Sequence, residues 1–90
     1  MRIEFDPAKN ERNIRERGLS FERAADFDFE SATVGEVQRH GEIRFVAGGY
    51  LDGRLHVLCY ILIPDGMRVI SFRKANDREA IRYGKPKTIG

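Results

Sequence analysis

The chain has 90 residues, 41% hydrophobic and 33% charged, with sixteen Lys and Arg against fourteen Asp and Glu. That length supports a single small domain and excludes two-domain and repeat architectures, because so short a chain buries only about 60% of its unfolded surface. The lone cysteine, Cys59, excludes an internal disulfide and a multi-cysteine zinc site, and fits a reducing, cytoplasmic setting.

Met1–Asp6 lacks the apolar core of a signal peptide, and no stretch approaches eighteen apolar residues, so a soluble protein retained where it is made is expected. Arg2–Phe5 predicts a short strand. Asp6 can cap a helix whose first position, Pro7, sacrifices no useful donor, and that helix should run to Arg17, with Gly18 as its left-handed stop. Ala8 and Ile14 are its main apolar residues, which predicts a narrow stripe lying on a sheet. Ser20 is placed to cap a second short helix through Phe21, Ala24 and Ala25, with Leu19 packing back on it. The acidic residues Glu22, Asp26, Asp28 and Glu30 alternate with Phe21, Phe27 and Phe29; their spacing suits a solvated edge better than a metal site.

From Thr33 the hydrophobic period becomes two, with turn signals at Gly41, Asp52-Gly53 and Pro64-Asp65-Gly66, which predicts an antiparallel meander. Asp52-Gly53 fits a two-residue hairpin between strands 43–51 and 54–63. Residues 55–63 are apolar on both faces, as in a central strand covered on both sides. Strand 67–73 should place Val69, Ser71 and Arg73 on one face and Arg68, Ile70 and Phe72 on the other. Asn76 and Glu79 form a capping-box pattern for a two-turn C-terminal helix stopped by Gly84 and Pro86, and the tail 85–90 is expected to be loose. The expected fold is α+β: one domain over 1–90, mostly an antiparallel meander, with two N-terminal helices and a short C-terminal one.

Charge is unevenly distributed. Residues 1–38 carry six basic and nine acidic side chains, and residues 39–90 carry ten basic and five acidic. Residues 66–90 alone hold Arg68, Arg73, Lys74, Arg78, Arg82, Lys85 and Lys87 against Asp77 and Glu79. Such a surface suits an anionic ligand, although a merely solvated surface explains it equally well. Arg73 emerges beside Lys74 and a helix start near Asn76, where cations and backbone donors can converge on a phosphate; a salt bridge to Asp77 or Glu79 is the structural alternative. Arg44, mid-strand, points away from Ile43, Phe45 and Ala47 and shares a face with Val46 and Tyr50, so it requires either a phosphate or a partner such as Glu36 or Glu42. Tyr83 lies on one helix face with Glu79 and Ala80 and can donate a hydrogen bond, stack on a base, or simply pack. His40 falls in a turn and His56 at the start of the apolar run, and neither belongs to a metal-binding or catalytic motif. Phosphate loops, nucleophile elbows, HExxH and CxxC are all absent.

Two segments together carry a family resemblance. The first is Phe5-Asp6-Pro7-Ala8-Lys9, then Asn13, Gly18-Leu19-Ser20-Phe21-Glu22 and Ala24; the second is Arg68–Ala75 with Arg78-Glu79 and Tyr83. In this order and spacing, with Glu42–Phe45 and Leu51–Leu55 between them, the chain resembles the BrnT toxins of bacterial type II toxin–antitoxin modules over nearly its whole length. The resemblance implies a RelE-like fold, a ribonuclease that needs no metal or other cofactor and inhibits translation, and neutralisation by a BrnA-type antitoxin whose ribbon-helix-helix domain binds operator DNA. No membrane partner is implied. The family's motif positions fall on Lys9, Asn13, Arg44, Ser71, Arg73, Arg78, Glu79 and Tyr83. At Arg17 the chain departs from the family, where a His commonly precedes the glycine, and its C-terminal helix stops early, at Gly84.

Cleavage of RNA by its own 2′-hydroxyl needs the phosphate charge stabilised, the hydroxyl deprotonated and the leaving oxygen protonated. Arg44 and Arg73 are the candidates to clamp the scissile phosphate. Tyr83 is the candidate to orient or protonate, Lys9, Arg68, Lys74 and Arg78 to hold RNA, and His40, Glu42 or Tyr83 to move protons. Two other readings fit the same residues: a small basic module that grips nucleic acid without cutting, and an interaction protein that docks a partner.

Overall fold

The computed structural model describes residues 1–89. It is an α+β structure built on one five-stranded sheet: β1 (Arg2–Glu4), β2 (Thr33–Arg39), β3 (Glu42–Leu51), β4 (Arg54–Ile63) and β5 (Gly66–Lys74), in the spatial order β1-β5-β4-β3-β2. The meander β2–β5 is antiparallel as its turns predict. Asp52 and Gly53 both take positive φ, 51° and 74°, and His40 and Gly41 do the same at 53° and 76°. β1 makes the sheet mixed, pairing parallel with the first three residues of β5.

β1 is too short to follow β5 to its end, so beyond Arg68 the outer edge of β5 needs another partner. Helix α1 (Pro7–Arg17) supplies it through a polar contact rather than the expected apolar stripe: Asn13 is its one buried residue, while Ile14 is exposed. The Asn13 amide donates to the backbone carbonyls of Phe72, at 2.9 Å, and Leu19, at 3.0 Å. The second N-terminal helix is a single 3-10 segment, Phe21–Asp26, capped by Ser20. It presses Phe21 and Ala24 onto one face of the sheet, where Leu19, Phe27, Ala47, Leu51, Leu58, Tyr60, Met67, Val69 and Phe72 complete the main core.

Phe72 and Val69 thus lie on the same side, contrary to strict alternation along β5. The cause is a bulge: Tyr60 pairs with Val69 and Cys59 with Ser71, leaving Ile70 as an extra residue that reverses the parity of everything after it. Ser71 and Arg73 do share a face, and Val69 is opposite to them.

The other face is covered only at one end. Helix α2 (Asp77–Tyr83), with the expected capping box between Asn76 and Glu79, lays Ala80 and Tyr83 over Val46, Tyr50, Leu55 and Val57. Beyond this small cluster the face is open, so β4 is not covered on both sides along its length: Cys59 and Ile61 are half-exposed and Leu62 is exposed. The tail expected to be loose carries hydrogen bonds over its described residues. Leu55 N–H donates to Lys87 O, Ile89 N–H to Gly53 O and the Tyr50 hydroxyl to Pro86 O, so residues 86–89 run along the β3–β4 turn. Gly90, the last residue of that tail, lies outside the described residues.

Candidate functional site

The pairing register defines the open face in rows. Val46 pairs with Cys59 and Cys59 with Ser71, giving a floor of small side chains across β3, β4 and β5. Arg44 stands two residues from Val46 on β3, and Arg73 two residues from Ser71 on β5. Each is about 7 Å from the floor along its strand, on opposite sides. Lys9 of α1, exposed, lines a small cleft with Ser71 and Ile70 and approaches the floor from the β5 edge. The Cys59 thiol registers this surrounding charge: burial pushes its pKa up, while Arg44, Lys9 and Arg39 pull against that rise. Lys9 of α1, Arg44 of β3 and Arg73 of β5 therefore ring one floor, with Arg39 of β2 acting on it from farther away.

Arg73 is held by α2. Its Nη1 and Nη2 donate to Oε1 and Oε2 of Glu79, each at 2.7 Å, and Glu79 also accepts the Asn76 backbone N–H at 3.0 Å. These bonds, Arg73's foremost, pull the Glu79 carboxyl down to about 2 and raise Arg73 in turn. The Glu79 carboxylate thus occupies the convergence of Arg73 and the α2 start that the sequence suggests for a phosphate. The guanidinium keeps donors beyond these two and is more than a third exposed, so it is fixed in place without being sealed. Tyr83 packs beside it, and burial, followed by the Glu79 charge, raises its phenol, which stays protonated at neutral pH.

Arg44 Nε donates to Glu42 at 3.2 Å, one of the two carboxylates the sequence offers it; Glu36 pairs with Phe45 and points to the opposite face. His40 lies in the β2–β3 turn, away from the floor. Arg68 shares the open face but sits at the far end of β5, bonded to Glu4 at 3.2 Å. Arg78 is exposed on α2, and Lys74 points to the other side of β5, in register with His56. The structure therefore brings Lys9, Arg44, Arg73 and Tyr83 around one surface, with Glu42 at its margin, and leaves His40, Arg68, Lys74 and Arg78 outside it. Sequence reasoning missed the floor itself. Cys59 reads only as part of an apolar run, and its pairing with Ser71 depends on a bulge that no residue pattern announces.

A cation-ringed, open sheet face with a protonated phenol at one end is a surface for polyanions. The family model for the ribonuclease toxin BrnT of type II toxin–antitoxin systems matches residues 5–79. The chain belongs to that family and is a toxin-family ribonuclease. The match ends before Tyr83. No curated protein and no solved structure matches the chain.

Proposed function

We propose that this chain is a RelE-like, metal-independent endoribonuclease that inhibits translation and is neutralised by a BrnA-type antitoxin, whose ribbon-helix-helix domain binds operator DNA. The carrying observation is the ring of Lys9, Arg44 and Arg73 around the Val46–Cys59–Ser71 floor, on a sheet face that α2 covers only at one end.

With the scissile phosphate over this floor, the 2′-hydroxyl attacks phosphorus, its proton passes to a base, and the P–O5′ bond breaks as O5′ takes up a proton. The products are a 2′,3′-cyclic phosphate and a 5′-hydroxyl. Arg73 and Arg44 stabilise the charge that grows on the non-bridging oxygens, which is the largest demand of the reaction. Lys9 holds a flanking phosphate, and the exposed Arg78 and the half-buried Arg68 extend the track on this face, with Lys74 taking up the strand where it passes to the other side of β5. Tyr83, a phenol that is protonated at neutral pH and that burial raises further, is the donor to O5′ in this reading. Glu42, beside Arg44 and not tied up with Arg73 as Glu79 is, takes the 2′-hydroxyl proton in this reading, with His40 of the β2–β3 turn, outside the ring, as the other candidate.

The test is cleavage of RNA by the antitoxin-free protein in excess chelator, compared with Arg73→Ala and Arg73→Lys checked for folding by circular dichroism. Removing one oxyanion donor costs roughly 100- to 1000-fold in rate, so both variants should lose cleavage while wild type cuts despite the chelator. Undiminished cutting by Arg73→Ala would refute the assignment. Salt-sensitive binding by wild type without products would favour a non-catalytic nucleic-acid module.

A further inference from the structure

A cleft of about 660 Å³ lies away from the open floor, at the end of the sheet where the β3–β4 turn meets the end of β5 and the loop after α1. Its apolar walls are Leu19 and Leu51, and its polar lining is Arg17, Arg23, Asp52, Arg54, His56, Arg73 and Lys74. The partners of these cations divide them into two sets. Arg23 is matched by Asp26 and Asp52, and Arg73 by Glu79. Among the described residues, Arg17 bonds only the neutral Asn13 side chain, at 2.8 Å, and Arg54 only the backbone carbonyls of Leu55, at 2.8 Å, and Ala75, at 3.1 Å. Lys74 has no carboxylate partner among the described residues.

Asp52, which also lines the cleft, is bonded to Arg23, and Arg54, held by two carbonyls that orient it without neutralising it, feels Asp77 only at longer range. Arg17, Arg54 and Lys74 therefore converge on one cleft with no direct carboxylate partner among the described residues. Between them lies His56, buried and in register with Lys74, its Nδ1 2.7 Å from Arg54 O. Burial holds this imidazole neutral, with Arg54 and Lys74 adding to the effect against Asp52. A cavity of this size accommodates a nucleotide. Its two parts match the two parts of one: cations for the phosphate and leucine walls for the nucleoside.

We infer that this cleft is a nucleotide-phosphate subsite built by Arg17, Arg54 and Lys74 around His56. Arg73 lines both the cleft and the open face, so a strand crossing the floor continues past it into the cleft; RNA as the occupant rests on the nuclease reading above. Arg17, a guanidinium that stays charged at any physiological pH, adds a permanent charge to this subsite.

The experiment uses an uncleavable 2′-O-methyl RNA oligonucleotide and, separately, AMP, with the full chain and the double variant Arg17→Gln/Lys74→Gln; both side chains are exposed, and because Arg17 also donates to the buried Asn13, the variant's fold is checked by circular dichroism. Binding is measured across a salt series, and the His56 ring is followed by NMR. The double variant should bind the oligonucleotide about tenfold more weakly, with a salt slope smaller by about 1.4, the value for two lost contacts to single-stranded phosphate. The His56 resonances should shift on binding, with a raised pKa as the anion offsets Arg54 and Lys74. If AMP alone shifts them, and does so only in wild type, the subsite stands with a free nucleotide as its occupant. If neither probe moves His56 and the double variant binds the oligonucleotide like wild type, the inference is overturned. Cleavage plays no part in this readout: binding through the cleft without cutting would refute only the nuclease reading, and cutting without any cleft response would refute only the subsite.

Discussion

A Cβ built on Gly48 would stand 2.7 Å from the ring of Tyr83, closer than any real contact allows, so the glycine is what lets the phenol lie flat over β3. Gly48→Ala should destabilise the protein by about 1–3 kcal/mol, the range for overpacking a filled site. In a domain of this size that lowers Tm by several degrees. Its effect on cleavage should exceed that of Tyr83→Phe on stability, because the ring must move while the fold persists; melting curves and RNA cleavage together check this. Glu79 is the second residue on which the site turns. Its folded carboxyl lies near 2, against an ordinary 4.5, so the ion pair with Arg73 contributes fully above pH 4.5 and is lost as pH falls toward 2. Discounted for the partial exposure of Arg73, the contribution is about 2 kcal/mol. Urea unfolding of wild type and Glu79→Gln between pH 7 and pH 2.5 should show a gap at neutral pH that closes in acid. A gap independent of pH would mean that the carboxylate's charge is not what holds Arg73.

The elements that local chemistry dictates were legible in the sequence, and those that depend on distant parts of the chain were not. Asp6-Pro7, Gly18, Asn76 with Glu79, and Asp52-Gly53 each specify a cap or a turn through their own backbone preferences, and each does so in the structure. The seat of α1 was not legible, because it depends on a buried asparagine reading two carbonyls, Leu19 and Phe72, six and 59 residues away. The floor was hidden for the same reason: the bulge at Ile70 resets which side chains of β5 meet Cys59. Arg73 stands out in the sequence as a place where a phosphate or a carboxylate could be met, and in the structure its partner is Glu79, a carboxylate of its own chain. Asn13→Ala tests how α1 is held. Both carbonyls would lose their donor, at about 1–3 kcal/mol for each left buried and unpaired, and amide exchange should rise along α1 well before it rises in β4. If α1 exchange and global stability are both unchanged, the helix is held by something other than Asn13.

At the scale of the whole molecule, a net charge of +2 understates the field that a polyanion meets, because the basic excess is concentrated in residues 39–90 and the acidic excess in 1–38. The carboxylates of the first half are partly spent on the fold: Asp26 holds Arg23, Glu4 holds Arg2 and Arg68, and Asp28 caps the turn at Glu30-Ser31. Little acidic charge therefore faces the open sheet, where Glu42 stands beside Arg44 and Glu79 is taken up by its bidentate pair with Arg73. Phosphate contact by Lys9, Arg44, Arg73 and one further cation would release about four condensed counterion equivalents, giving a salt slope near −2.8 for single-stranded RNA. Binding of an uncleavable strand should then weaken by roughly fifty-fold between 50 and 200 mM salt. Excess chelator should leave that curve unmoved, since the side chains provide the charge. A weakening of less than about fourfold would mean that no more than one phosphate is engaged. In that case neither the open face nor the cleft beyond it could carry an RNA strand, and the basic half of the chain would be a surface for its antitoxin.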